Sequence, residues 1–136
     1  MTKKSLLKYL QSKDLCVLST CNLKNKPESA VMCQVTGNDY SVYLFTSKNS
    51  RKYYNIDANK KVALVVGGLR DDPSVQITAL AQILDKTDSA KASTLITKAH
   101  PKWEQYFSKT TRFLKIIPKR AQYSDFSKNI FKEFIF

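Results

Sequence analysis

The residues best suited to chemistry in this sequence form one polar segment, residues 45–52, with the letters FTSKNSRK. A β-like pattern precedes the segment and a helix-like pattern follows it, so we expect it to join a strand to a helix. The start of a helix offers free N–H groups and a favourable dipole to an anion. Arg51 can donate two parallel hydrogen bonds, and Lys52 adds a second positive charge. The segment predicts a site for a phosphate monoester. The alternative is a solvated loop whose basic residues simply follow a helix cap.

Histidine and cysteine offer little further chemistry. The only histidine, His100, stands beside Pro101 in a polar stretch, which favours a surface turn over a haem ligand or a catalytic acid. Cys16, Cys21 and Cys33 lie in or beside apolar segments and form no C-x-x-C pair. We expect small buried side chains rather than disulfides or a zinc site. No catalytic side chain and no metal site are predicted.

The elements that must position the basic segment are short strands joined by polar turns. In residues 75–84, apolar and polar side chains alternate, as in a strand with one buried face. Pro118 is expected to end a strand. The predicted helices cover residues 5–13, 50–59 and 85–98, and the predicted strands cover residues 15–21, 29–36, 41–46, 61–66, 75–84, 111–117 and 120–124.

Capping residues predict where two of the helices begin. Asn49 or Ser50 is expected to cap the second helix, and Asp88 or Ser89 the third. Residues 129–136 end apolar and receive no predicted element.

This order of elements predicts a mainly β (α+β) fold, an antiparallel barrel of six to seven strands with peripheral helices. Three glycines in the chain exclude a G-x-G-x-x-G loop and a P-loop. A length of 136 residues fits a single domain over residues 1–136. No apolar run approaches the ~20 residues of a membrane span, and the basic start lacks the apolar block of a secretory signal. We therefore expect a cytoplasmic protein with no membrane partner.

The net charge of +12, from 23 basic and 11 acidic residues, attracts anions of any kind. A lysine-rich surface that only keeps the chain soluble explains this charge as well. A nucleic-acid-binding barrel is a further alternative, in which tyrosines near the lysines would stack on bases. No RNA-binding signature accompanies them, so no specific nucleic acid is expected. The tyrosines concerned are Tyr40, Tyr43, Tyr53 and Tyr54.

Three motifs follow one another along the chain: KPESAVM, then LFTSKNSRKYYNIDANKKVALVV, then SVQITALAQIL. In this order they resemble the pyridoxamine 5′-phosphate oxidase-like family of FMN-binding split β-barrels. The resemblance covers residues 5–124, and its most specific part is the Ser-Arg-Lys turn that ends at Lys52. It implies an antiparallel split barrel with FMN as cofactor.

The resemblance also implies which residues bind FMN. Arg51 and Lys52 would hold the phosphate. The other implied contacts are Thr46, Ser47 and Ser50 at the phosphate, and Ala30, Val31, Met32, Phe45, Gln76 and Ser74 along the isoalloxazine ring.

The function implied by the resemblance is that of an FMN-dependent oxidoreductase acting on a small molecule, with NAD(P)H as a possible electron donor. The family places its cofactor between two subunits, so a homodimer is expected. The apolar C-terminus and the Trp103 cluster would then close the second half of the flavin pocket. Plain dimer or core packing is the alternative for both of them. Residues 128–136 lack the basic, His-containing ending of the true oxidases, so oxidation of vitamin B6 is not expected. A non-enzymatic flavin- or haem-binding protein is the alternative that the sequence leaves open.

Overall fold

A computed structural model describes all residues, 1–136, and consists of one antiparallel sheet with flanking helices. The helices are α1 (Lys3–Gln11), α2 (Arg51–Ala58) and α3 (Lys86–Ala99), and a 3₁₀ helix covers Pro101–Tyr106. The strands are β1 (Leu15–Cys21), β2 (Pro27–Cys33), β3 (Val35–Thr36), β4 (Val42–Ser47), β5 (Lys61–Gly67), β6 (Ser74–Ile83), β7 (Thr111–Asp125) and β8 (Ile130–Ile135).

The order of strands in the sheet is β2-β1-β5-β6-β7-β4-β3, and β8 pairs with β7 outside this path. β7 is the longest strand, and one of its edges pairs with β6 along almost its whole length. Its other edge is shared, because β4 pairs with Thr111–Ile116 and β8 pairs with Arg120–Asp125. β2 and β4 also approach each other, so the sheet curls into a split barrel. The predicted mainly β, antiparallel split barrel is confirmed.

The core lies inside the curled sheet and follows the alternation of side chains along the strands. In β6, Val75 and Ile77 are buried while Gln76 and Thr78 are exposed, as the pattern predicts. α1 covers part of the core with Leu6 and Leu10, which are almost fully buried. The apolar residues removed from water in this way supply most of the free energy that favours folding.

β7 is continuous through Pro118, so the prediction of two strands separated there is wrong. Thr78 pairs with Arg120 and Ala79 pairs with Pro118, which leaves Lys119 as an extra residue in a bulge. Bulges interrupt the hydrogen-bond ladder and thereby tolerate a residue without an N–H group.

The strand predicted over residues 29–36 is divided into β2 and β3 at Gln34. This side chain is 1% exposed, and its amide donates a hydrogen bond of 3.0 Å to the carbonyl of Leu10 and another to the carbonyl of Lys13. The backbone N–H of Gln34 donates to Asp14 at 2.8 Å. The chain leaves the ladder at this point because these groups bind the corner between α1 and β1.

Two further differences concern the second half of the chain. Asp85 caps α3 by accepting a hydrogen bond of 2.8 Å from the N–H of Asp88, so the predicted caps Asp88 and Ser89 are wrong. β8 was not predicted, because its letters, IFKEFI, do not alternate. No helix has both the length and the apolar character needed to cross a bilayer.

Candidate functional site

The turn between β4 and α2 is tied together by its own hydroxyl groups. Ser50 is the N-cap of α2, as predicted, and its hydroxyl accepts a hydrogen bond of 3.3 Å from the N–H of Tyr53. The same hydroxyl lies 3.0 Å from that of Thr46 and donates to the carbonyl of Ser47 at 2.9 Å. These bonds fix the backbone at the start of α2, so the two residues that follow, Arg51 and Lys52, have defined positions.

A small cavity of about 120 Å³ opens between the start of α2 and the strands β1 and β2. Ligand pockets that enclose a whole drug-sized molecule measure about 300–1,000 Å³. The cavity is therefore large enough for one end of a ligand only. Its polar and charged lining consists of Thr20, Glu28, Ser29, Arg51 and Lys52.

The two cations of this cavity are in different states. Lys52 forms no ion pair, whereas Arg51 Nε lies 3.0 Å from Glu28 Oε2. The Arg51 side chain is 87% exposed and that of Glu28 is 35% exposed. Glu28 was not predicted as a site residue, and its carboxylate reduces the positive potential of the cavity.

Asn55 connects α2 to the strands beneath it. Its side-chain amide is buried and donates hydrogen bonds of 3.0 Å to Thr20 Oγ1 and 3.4 Å to Glu28 Oε1. Asn55 follows Arg51 by four residues, so the two side chains share one face of the helix. That spacing is the only sequence signal that could have identified Asn55, which was missed.

The three predicted contacts on β2 divide between its two faces, with Ala30 and Met32 on the inner face and Val31 on the outer face. Ala30 lines the cavity, Met32 is buried in the core, and Val31 is 67% exposed on the outer face of the sheet. β2 is the first strand in the sheet order, so one edge of its backbone has no strand partner. The exposed groups of that edge can hydrogen-bond a ligand.

The outer face of the sheet carries a row of neighbouring residues that runs from Val31 towards β6. Val31 pairs with Val17, Val17 with Val65, and Val65 with Gln76. Strands in a sheet lie about 4.8 Å apart, so Val31 and Gln76 are separated by roughly 14 Å. Ser74 lies two residues from Gln76 on the same face and is half-buried.

The predicted residues of β4 occupy two environments. Thr46 and Ser47 belong to the hydroxyl network at the start of α2, with Ser47 Oγ also 3.3 Å from Thr110 Oγ1. Phe45 belongs to an aromatic cluster, with its ring centroid 5.0 Å from that of Phe107 and 6.3 Å from that of Trp103. The ring of Phe45 is thus packed against residues that follow α3, away from the lining of the small cavity.

The remaining candidate nucleophiles and bases lie outside the cavity. His100 stacks on Trp103 at 3.8 Å between ring centroids, and its Nε2 lies 3.4 Å from Asp14 Oδ1. All three cysteines are free. Burial raises the pKa of Cys16 to about 12, with a smaller contribution from Cys33. The Cys16 thiol is therefore protonated at neutral pH and is a poor nucleophile.

Comparison with known proteins identifies the fold and the family model that fits the chain. Residues 2–125 match the model described as pyridoxamine 5′-phosphate oxidase. A search of curated proteins found no match. The General Stress Protein 26 from Bacillus anthracis is 24% identical with a TM-score of 0.74, and the match covers 98% of this chain and 100% of that chain.

Two solved haem proteins also have this fold. A heme binding protein from Mycobacterium smegmatis is 10% identical with a TM-score of 0.82, and the match covers 99% of this chain and 59% of that chain. The heme storage protein HutZ from Vibrio cholerae is 12% identical with a TM-score of 0.69, and the match covers 86% of this chain and 89% of that chain. At these identities the likeness describes the fold.

Proposed function

The chain belongs to the pyridoxamine 5′-phosphate oxidase family, and we propose that it is a flavoprotein that binds FMN by its phosphate group at the start of α2. The observation that carries the proposal is the placement of Arg51 and Lys52 as the first two residues of α2, beside a cavity the size of one ligand end. Free N–H groups, the helix dipole and two cations act in the same direction on a phosphate. A phosphate monoester fits this chemistry better than a neutral ligand does.

The isoalloxazine ring would lie along the free edge of β2 and the adjacent outer face. The backbone of β2 offers donors and acceptors for the polar edge of a flavin, and Val31 and Val17 offer an apolar surface for its ring. Gln76, three strands away, is an exposed amide that can donate or accept a hydrogen bond.

The proposed chemistry is that of an FMN-dependent oxidoreductase with a small-molecule substrate. When bound, FMN supplies the redox chemistry by accepting a hydride from a donor such as NAD(P)H and passing it to an acceptor. The protein's own residues bind and orient the cofactor, and none of them needs to act as an acid or a base. This agrees with a cavity whose titratable groups are Glu28, Arg51 and Lys52, with no histidine or cysteine.

We propose in addition that two copies of the chain form a homodimer through the outer face of the sheet. Five large apolar side chains are exposed around a groove of about 510 Å³ there, and exposed apolar patches of this kind mark interaction sites. A second copy seated on this groove would also shield the flavin ring from water. The side chains concerned are Leu15, Val17, Val31, Val65 and Leu69.

Haem binding without catalysis is the second candidate, and it is favoured by the two haem proteins that share the fold. The visible spectrum of the purified protein separates the candidates. Oxidised flavin absorbs near ~370 and ~450 nm as a property of the cofactor, whereas haem gives a Soret band. Loss of flavin absorbance on addition of NADH or NADPH would support the oxidoreductase, and a bound flavin that neither nucleotide reduces would contradict it.

A matched pair of double variants tests the phosphate site itself. Arg51→Ala/Lys52→Ala removes the two cationic side chains at the first two positions of α2. Lys3→Ala/Lys4→Ala removes two cationic side chains from the same positions of α1. Charge-assisted hydrogen bonds contribute about 1.5–3 kcal/mol each, so we expect the first variant to bind FMN at least ~100-fold more weakly. The second should bind FMN like the wild type. Equal losses in both variants would show a general effect of net charge and would contradict the site.

A further inference from the structure

Glu28 places a carboxylate inside the cavity that we assign to a phosphate. One of its oxygens, Oε2, forms an ion pair with Arg51 Nε at 3.0 Å, and the other accepts a hydrogen bond from Asn55 Nδ2 at 3.4 Å. Glu28 pairs in register with Thr20 on β1, and both side chains line the cavity. The carboxylate is therefore held on two sides within the space that an anionic ligand would enter.

The ion pair contributes little to the stability of the fold. Arg51 is 87% exposed, and exposed ion pairs stabilise a fold very little because water screens them. Asn55 keeps its stronger bond to Thr20, at 3.0 Å, whether or not Glu28 is charged. The fold thus does not depend on the charge of Glu28, and the effect of that charge is on what the cavity can bind.

A phosphate and the carboxylate of Glu28 are attracted to the same cation. Arg51 can bind a phosphate by parallel hydrogen bonds from its guanidinium group, and the Glu28 carboxylate already lies 3.0 Å from the Nε of that group. Two anions a few ångströms apart also repel each other. A phosphate that binds Arg51 must displace the Glu28 carboxylate or bear its repulsion, and either cost is subtracted from the binding of the ligand.

We propose that Glu28 is an internal competitor for the phosphate site and sets its affinity for phosphate-bearing ligands. In the empty protein it occupies Arg51, and it is displaced when a phosphate monoester binds. Lys52, which forms no ion pair, makes the first contact with the incoming anion. The inference rests on the proposed FMN site and names the residue that limits its affinity.

The opposite role for Glu28 gives the opposite result. If the carboxylate only orients Arg51 towards the ligand, its removal weakens phosphate binding. If it competes, its removal strengthens binding. The sign of the change therefore decides between the two roles.

The test compares Glu28→Gln with Glu133→Gln. The control makes the same carboxylate-to-amide change in another glutamate–arginine pair, since Glu133 Oε2 lies 2.9 Å from Arg120 on the β7–β8 hairpin. FMN and riboflavin are titrated into each protein, and thermal unfolding confirms that each is folded. We expect Glu28→Gln to bind FMN about tenfold more tightly and riboflavin, which has no phosphate, with unchanged affinity. Glu133→Gln should match the wild type, and equal or weaker FMN binding by Glu28→Gln would overturn the proposal.

Inorganic phosphate separates this inference from the proposed function. Its binding is followed by the NMR signal of the Arg51 Nε–H group in wild type, Glu28→Gln and Glu28→Ala. If no protein binds FMN but phosphate binds both variants more tightly than the wild type, the FMN assignment fails and the role of Glu28 stands. If phosphate binds all three proteins equally, or moves the Arg51 signal in none of them, the role of Glu28 is wrong.

Discussion

The side-chain amide of Asn55 donates a hydrogen bond of 3.0 Å to the hydroxyl of Thr20, and this contact attaches α2 to β1 beneath the cavity. Both residues are buried, so neither can replace the bond with one to water. The orientation of α2, and with it the position of Arg51, depends on this bond.

We expect Asn55→Ala to lower both stability and flavin affinity. The change leaves the Thr20 hydroxyl without its donor, and a lost buried hydrogen bond costs about 1–3 kcal/mol. Chemical denaturation should show a decrease of that size, and FMN titration should show weaker binding because α2 is less firmly held. Asn49→Ala, at an exposed residue four positions before Tyr53, is the control and should change stability by less than about 0.5 kcal/mol. An Asn55→Ala protein as stable as this control would refute the structural role of Asn55.

Substitutions of Ser50 should separate helix capping from phosphate binding. Ser50→Ala removes the bond to the N–H of Tyr53, which lowers the unfolding free energy by about 1 kcal/mol. Ser50→Asp keeps a good N-cap and adds a negative charge beside Arg51, so stability should be near that of wild type while FMN affinity falls. Paired denaturation and FMN titrations check this. Unchanged FMN affinity in Ser50→Asp would mean that the phosphate binds elsewhere.

Gly67→Ala adds a single methyl group and should be among the most destabilising single substitutions in the chain. Gly67 has a φ of +73°, and an added Cβ would lie 2.5 Å from the carbonyl of Pro73 and also against the Tyr9 hydroxyl, which donates to that carbonyl. We expect a loss of about 3 kcal/mol or more from the strained backbone and the clash together. Gly37→Ala is the comparison, because its φ lies outside the left-handed region and its Cβ would approach only side chains closely, with Asp39 nearest at 3.0 Å. Similar losses in the two variants, measured by thermal unfolding, would contradict this difference.

The contribution of Asp39 to the free energy of unfolding should depend on pH. Partial burial raises the pKa of Asp39, but the N–H and O–H groups of Ser41, both at 3.1 Å, and the nearby Lys115 lower it more, so that the net shift is downward. Since the folded pKa lies below the unfolded value of ~3.9, Asp39 stabilises the fold above that value, and the contribution is lost as the pH falls through the folded pKa.

The test of this dependence is an NMR titration of the Asp39 carboxyl carbon in wild type and Ser41→Ala. The variant should titrate at higher pH than the wild type, and its stability deficit at neutral pH should disappear below the folded pKa. Asp39→Asn removes the titration and serves as the control. A titration midpoint for Asp39 that is the same in both proteins would show that the Ser41 hydroxyl does not stabilise the charged form.

The local parts of the site are readable from the sequence, and the long-range parts are not. Ser50 can be recognised as the cap of α2 because capping depends on the next few residues only. The pairing of Glu28 with Arg51 depends on the register of β2 against β1 and on the angle of α2, and neither follows from residue types.

The errors in the predicted elements have the same origin. Proline by itself favours the end of a strand. Lys119 forms a bulge that accommodates Pro118, and β7 pairs with β6 on both sides of that bulge. The sequence pattern around Gln34 is that of a strand. In the structure its side-chain amide donates hydrogen bonds to the carbonyl groups of Leu10 and Lys13 instead. β8 lacks the alternation of a strand and is held in place by pairing with β7. In each case a distant partner outweighs the local preference.

The central claim is that the start of α2 binds the phosphate of FMN, and the most direct test is the ratio of the dissociation constants of FMN and riboflavin for the wild-type protein. The two ligands share the flavin ring and the ribityl chain and differ in the phosphate. We predict that FMN binds about 100-fold more tightly, since its phosphate gains the hydrogen bonds of Arg51 and Lys52. Equal dissociation constants for the two ligands would contradict the claim.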